Sequence, residues 1–106
     1  MARRSAAEER AQGSLRHPRL REAARLAGSG RVGSATALLR EHLKQHPRDA
    51  QALHLLGGIA RTQGRLDPAL SLLDRALESA PGFAPARRDY AAVLLEVHRP
   101  DTRRSL

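Results

Sequence analysis

Several residue types that would point to particular structures are absent or rare in this 106-residue chain. It has no cysteine, which excludes disulfide bonds and thiolate metal sites. It has no tryptophan, one phenylalanine and one tyrosine, so leucine and alanine must fill most of the core, which favours close helix packing over a sheet. No apolar run approaches the roughly 18 residues of a membrane span, and no hydrophobic segment follows the charged N-terminus as in a secretory signal. We therefore expect one soluble, cytoplasmic domain.

The net charge of +8 is unevenly distributed. Residues 1–48 hold eleven basic and four acidic residues, whereas residues 49–83 hold three and four. Residues 1–15 are charged and show no repeating apolar face, which predicts a disordered or frayed arm. Clustered arginines can contact phosphates, so weak nucleic-acid association through the basic half is one alternative function. The aromatic residues on which single-strand binders stack bases are missing, so the composition favours a protein partner.

A repeat of 34 residues organises the rest of the chain. In residues 50–83, two amphipathic segments flank Gly64-Arg65, and Pro81 closes the unit. The same residue types occur 34 positions earlier, as in Pro81 and Pro47, Leu77 and Leu43, Leu73 and Leu39, Leu72 and Leu38, Ala69 and Ala35, and Gly64-Arg65 and Gly30-Arg31. A fixed period of this size predicts a stacked-repeat architecture.

With this pattern the chain resembles tetratricopeptide repeat proteins, whose 34-residue unit is a helix-turn-helix. The positions of the family's motif fall on Leu53, Leu56, Gly57, Ala60, Ala69, Leu73, Ala76 and Pro81. The resemblance implies an all-α fold, a helix-turn-helix repeat array (α-solenoid) of about five helices. Its units would be residues 16–49, 50–83 and a partial 84–98, with a tail at 99–106. The first unit departs from the pattern at Arg19, Glu22 and Ala23.

Local signals predict where the five helices begin and end. Pro18 can open the first helix, because proline fits the first turn. Ser34, Asp49 and Asp67 are good N-caps for the second, third and fourth helices, and the helix that Ser34 caps would end near Gln45. The fifth helix would span about 85–97, with an inward stripe of Tyr90, Val93, Leu94 and Val97. In the third helix, Gly57 and Gly58 each cost about 1 kcal/mol of helix propensity, which suggests that a neighbouring helix approaches closely there.

Histidines offer the nearest approach to a chemical site. His42 and His46 lie four residues apart on one helical face, a spacing that suits a metal pair. The zinc-protease motif also needs glutamate after the first histidine, where Leu43 stands. We prefer the interpretation that His42 packs between helices and His46 lies in a solvated turn. We find no candidate nucleophile for His54, and therefore predict no catalytic residue, metal or cofactor, and no enzyme activity.

The resemblance to tetratricopeptide proteins implies a binding function. In that family the first helix of each pair lines a concave groove that holds a peptide or a partner helix. The corresponding positions here include Gln51, His54, Arg61 and Arg88, and the last three together suggest a groove that favours an acidic partner. Family members that clamp chaperone C-terminal carboxylates carry lysine and asparagine at groove positions that Leu20 and Ala24 occupy here, so that specialised role is not expected.

Two further expectations concern the context of the array. An apolar edge on the fifth helix could support a homo-oligomer. Residues 46–95 are similar to the N-terminal repeats of bacterial proteins that join tetratricopeptide repeats to a C-terminal sulfotransferase domain. That resemblance implies, as a second alternative, the repeat segment of a truncated or split sulfotransferase-type protein. We expect no sulfonate transfer by this chain itself, because it ends before any loop that could bind the donor's phosphates.

Overall fold

The computed structural model of the chain describes residues 17–98. Five helices follow one another in this range: α1 (Pro18–Gly28), α2 (Val32–Gln45), α3 (Ala50–Thr62), α4 (Leu66–Ser79) and α5 (Ala84–His98). No strand occurs among the described residues, and none of their helices is long and apolar enough to cross a membrane. The all-α repeat array is therefore confirmed, while the predicted N-terminal arm and C-terminal tail lie outside the described residues.

The helices pack as two antiparallel hairpins followed by α5. Helix α1 packs on α2, α3 packs on α4, and α5 packs on α4. Helix α3 lies at the centre, because it also contacts α1, α2 and α5. One face of α3 joins the first hairpin in a core of Leu20, Ala23, Ala35, Leu39, Ala52, Leu56 and Ile59. Its other face joins α4 and α5 in a core that includes Leu53, Leu73, Ala76, Phe83 and Val93.

The 34-residue period is visible in the turns within the two hairpins. Gly30 and Gly64 have φ angles of 88° and 75°, a left-handed conformation that glycine adopts without steric cost. The N–H of the following residue then bonds back to the preceding helix, from Arg31 to the Leu26 carbonyl at 2.8 Å and from Arg65 to the Ala60 carbonyl at 2.9 Å. Residues 34 positions apart thus occupy equivalent places.

These turns explain two errors in the predicted helix starts. Asp49 caps α3 as expected, since its side chain accepts the N–H groups of residues 51 and 52. Ser34 and Asp67, however, lie inside α2 and α4, which begin two and one residues earlier without a side-chain cap. Each of these helices begins directly after its glycine turn. Asp67 therefore lies in the first turn of α4, where its negative charge interacts favourably with the helix dipole. Helix α5 is one residue longer at each end than predicted.

The two central glycines differ in their surroundings. A Cβ atom on Gly57 would lie 3.0 Å from the Leu73 Cγ and 3.6 Å from the Ala69 carbonyl oxygen. The close approach of α3 and α4 is therefore confirmed at Gly57. A Cβ atom on Gly58 would meet nothing within 4 Å, so the same explanation is wrong for that residue.

Candidate partner-binding surface

The first helices of successive units lie side by side, with α3 in contact with both α1 and α5. Three of the four residues predicted to line the groove, Gln51, His54 and Arg61, lie on α3, and Arg88 lies on α5. These two helices carry all four predicted residues, and we refer to the surface that the helices form as the α3–α5 surface.

His54 forms an ion-pair contact across this surface. One ring nitrogen, Nε2, lies 2.8 Å from an oxygen of Asp89 on α5. The imidazole also packs edge-on against the Phe83 ring, at a centroid distance of 5.4 Å. Both side chains of the pair are half-buried, with 23% of His54 and 31% of Asp89 exposed. The pair therefore links α3 to α5 of the next unit, and part of each side chain remains exposed to solvent.

Arg61 forms a second pair, about two turns further along the same helices. Its Nε donates to a carboxylate oxygen of Glu96 at 3.0 Å, and about a third of each side chain is exposed. In both pairs the partners are 35 residues apart, one repeat plus one residue. The two acids were not predicted, although opposite charges at that spacing on the first helices of successive units could have indicated the pairs. Two of the predicted groove residues, His54 and Arg61, thus already have acidic partners within the array.

The other predicted positions differ strongly in accessibility. Gln51 is 5% exposed and interacts within the fold, so it offers little surface to a partner. Arg88 is exposed and makes no hydrogen bond or ion pair with residues 17–98. The expectation for Leu20 is wrong, because Leu20 is 1% exposed and belongs to the core between α1, α2 and α3. Ala24 is half-buried.

Helix α5 carries an apolar edge. Leu95 is 72% exposed and Val97 is 38% exposed, and they are the exposed large hydrophobic residues of the described range. Val97 was predicted to face inward and does not, whereas Val93 is fully buried. The difference arises because α5 has no second helix of its own unit packed on it among residues 17–98.

The histidines of the first unit form a separate cluster. His42 is 1% exposed and His46 is exposed, as the packing interpretation expects. His17, which the sequence analysis did not single out, lies beside them, with its ring centroid 4.6 Å from that of His42 and 5.9 Å from that of His46. Desolvation, and then the positive charges of His42, Arg19 and His46, lower the pKa of His17 below its usual value, against a smaller opposing effect of Asp49.

Comparison with known proteins adds one finding. A protein-family profile described as "Tetratricopeptide repeat" matches residues 26–82, more than half of the chain. The match spans α2, α3 and α4 entirely, together with the turns between them. No curated protein and no solved structure gives a significant match.

Proposed function

We infer the function of this chain from its family: it belongs to the tetratricopeptide repeat family, whose repeats generally mediate protein–protein interaction. We propose that it is a non-catalytic interaction module, and that the α3–α5 surface binds a segment of a partner protein. The observation that carries this proposal is the exposure of Arg88 and Leu95 on a surface otherwise occupied by matched ion pairs.

The chemistry of the partner follows from these two side chains. Arg88 and Leu95 are seven residues apart on α5, which places them on one face about two turns apart, or roughly 10 Å. A partner segment that carries a carboxylate and an apolar side chain at a similar separation would match both. Apolar burial of Leu95 would supply affinity, and the guanidinium of Arg88 would mainly set orientation and association rate.

Because His54 and Arg61 already have acidic partners within the array, negative charge alone would contribute less to the choice of a binding partner. An acidic group can reach the guanidinium of Arg61 only in competition with Glu96, which already lies 3.0 Å away. His54 is likewise held by Asp89. We therefore propose that His54 and Arg61 shape the surface and that Arg88 makes the accessible charged contact.

The test is a binding experiment with matched charge changes. Cross-linking in a lysate with the chain as bait would first identify a protein partner by mass spectrometry. Arg88→Glu should then weaken binding of the purified partner at least tenfold, as should Leu95→Ser. Arg87→Glu introduces the same charge change at the neighbouring exposed residue and should leave affinity nearly unchanged. If Arg88→Glu and Leu95→Ser bind as the unaltered chain does, the proposed surface is wrong.

A second copy of the chain is another candidate occupant of the same edge. The exposure of Leu95 and Val97 favours it, since apolar side chains on one helix can pair across a symmetric interface. Sedimentation over a range of concentrations would test this candidate. Leu95→Ser should abolish any dimer, and a strict monomer at high concentration would contradict it.

The remaining alternatives rest on sequence features. The similarity of residues 46–95 to the repeats of sulfotransferase-type proteins supports the repeat-segment alternative, which a coding region continuing downstream into a donor-binding loop would favour. The basic excess of residues 1–48 supports nucleic-acid association. That alternative predicts an affinity that falls steeply with salt, because counterions are released on binding.

A further inference from the structure

Three helix ends meet at the junction between the first and second units. His17 precedes α1 as its N-cap, His42 and His46 lie at the C-terminal end of α2, and Asp49 caps α3. One ring nitrogen from each of the three histidines lies within 4.8 Å of those from the other two. We call His17, His42, His46 and Asp49 the first junction.

The second unit closes the equivalent junction in another way. The residues 34 positions later are Gln51, Ala76, Ala80 and Phe83, and they are all buried, at 5%, 0%, 0% and 4% exposure. The fold therefore does not require imidazoles at these positions, since an amide side chain, two alanines and a phenyl ring complete the same junction one repeat later. The three histidines and the aspartate are a particular property of the first junction.

The hydrogen bonds of the first junction determine which ring nitrogens are available. Asp49 Oδ2 lies 2.7 Å from His42 Nε2, so this nitrogen donates to the carboxylate, and in the neutral ring Nδ1 carries the lone pair. His42 Nδ1 is buried and has no hydrogen-bond partner among the described residues. Nδ1 of His17 accepts the backbone N–H of Arg19 at 3.2 Å, so Nε2 carries the proton in this tautomer, and His17 would have to give up the Arg19 hydrogen bond to offer a lone pair to a metal ion.

This arrangement is the one that metal-binding histidines generally use. A ligating imidazole commonly donates its other N–H to a carboxylate, which fixes its orientation and raises its basicity. A buried acceptor without a partner is costly unless something else occupies it. At the first junction, the carboxylate and the unpartnered nitrogen belong to the same fully buried ring, and two further imidazoles lie beside it.

We propose that His17, His42 and His46 together bind a divalent transition-metal ion of the zinc type, with Asp49 orienting His42. Imidazole nitrogen is a preferred ligand of Zn²⁺, Cu²⁺ and Ni²⁺. Nitrogens around tetrahedral zinc stand about 3.4 Å apart, so the rings would close by up to about 1.4 Å from their present limit of 4.8 Å. The charge of nearby Arg19 opposes a cation, and the carboxylate of Asp49 offsets it.

The ion would cross-link the helix ends of the first unit. It would tie the start of α1 to the end of α2, and through Asp49 to the start of α3. Because the three ligands come together only in the folded chain, binding would stabilise the fold. The three protein ligands would leave a fourth position for water or another ligand.

The test uses the full chain without a histidine tag, titrated with Zn²⁺ in a calorimeter and with Co²⁺ in an absorption spectrometer. We expect one ion per chain and a higher midpoint of thermal unfolding when the ion is bound. His17→Asn keeps a good N-cap and removes a ligand, and His46→Gln changes an exposed side chain. Each should weaken binding at least tenfold. Asp49→Asn, which also retains a cap, should weaken it about 10- to 100-fold.

The chain provides its own control. His54 and His98, the remaining two of its five histidines, lie away from the first junction on α3 and α5. The double variant His54→Gln/His98→Gln should bind the ion as tightly as the unaltered chain. The proposal is wrong if no saturable binding occurs. It is also wrong if His17→Asn and His46→Gln bind as tightly as the double variant, which would indicate nonspecific coordination by surface imidazoles.

Discussion

The first and second units close equivalent junctions with opposite chemistry. In the second unit, Ala76, Ala80 and Phe83 pack as part of a continuous apolar core. In the first unit, the residues 34 positions earlier are His42, His46 and Asp49, and one of their ring nitrogens is buried without a partner. The comparison teaches that the repeat determines which positions meet, whereas the residues at those positions decide whether the junction is only packed or also able to bind a ligand.

A second contrast lies between two histidine–aspartate pairs of almost the same length. His42 and Asp49 are 2.7 Å apart, and His54 and Asp89 are 2.8 Å apart. His42 is 1% exposed, whereas 23% of His54 reaches solvent and its ring packs on Phe83. Burial, and not the length of the contact, should therefore decide what each pair contributes to stability.

The largest effect is expected at the apolar junction. Phe83→Ala removes a ring that is 4% exposed, and should lower the free energy of unfolding by about 3–5 kcal/mol. Urea denaturation followed by circular dichroism would measure this loss, with or without Zn²⁺. If Phe83→Ala leaves too little folded protein, Phe83→Leu should cost less than about 1.5 kcal/mol and remain measurable. A loss of under 1 kcal/mol for Phe83→Ala would contradict the role of this ring as the apolar closure.

The equivalent position in the first unit should give the next largest effect. Asp49→Ala removes the cap of α3 and leaves buried His42 Nε2 without its partner, which together should cost about 2–4 kcal/mol. The matched change Asp89→Ala breaks a half-exposed pair and should cost under about 1 kcal/mol. Chemical denaturation in the presence of a chelator compares the two variants. Equal losses would show that burial does not distinguish the pairs.

The central glycines test the comparison at a third place, because their equivalents in the first unit are Ala23 and Ala24. Gly58→Ala should stabilise the chain by about 0.5–1 kcal/mol, since the added methyl group meets nothing and helix propensity rises. Gly57→Ala should destabilise it by about 1 kcal/mol, because the clash with fully buried Leu73 outweighs the same gain. Thermal unfolding midpoints that move in the same direction for both variants would disprove this distinction.

The smallest effect is expected at the outer face of α1, where Glu22 and Arg25 stand at positions equivalent to Leu56 and Ile59. The hydrogen bond from Arg25 lowers the pKa of Glu22 from its usual 4.5. Because the folded state favours the carboxylate, this contribution is complete above pH 4.5 and is lost as the pH falls through the lowered value. Glu22→Gln should remove only that part of the acid dependence of stability. The pairing would be contradicted if the free energy of unfolding of Glu22→Gln depended on pH between pH 5 and pH 3 in the same way as that of the unaltered chain.

Much of the fold could be predicted because it is encoded locally and repeated. The 34-residue period, the glycine-containing turns and the prolines predicted five helices, and Asp49 predicted the start of α3. The starts of α2 and α4 were misplaced because the glycine turns leave no need for the capping side chains of Ser34 and Asp67. The capping signals at Ser34 and Asp67 did not indicate that a helix can begin directly after a glycine turn.

The site was less predictable because it depends on contacts between units. The acids that pair with His54 and Arg61 lie one repeat plus one residue away, a spacing that becomes informative once helix packing is known. His17 precedes α1 and belongs to no periodic stripe, so nothing near it in the sequence connects it with His42 and His46. The family pattern assigns Gln51 and Leu20 to the groove, but both side chains are buried in the fold.

The most direct test of the contrast between the junctions is a nuclear magnetic resonance titration of the imidazole side chains with Zn²⁺. We predict that the resonances of His17, His42 and His46 shift together and stop changing at one equivalent of metal, while those of His54 and His98 remain unchanged. This result would establish the first junction as a defined site within a family of interaction modules. A gradual shift of all five histidines, or none, would show that the first junction is merely packed, as the second one is.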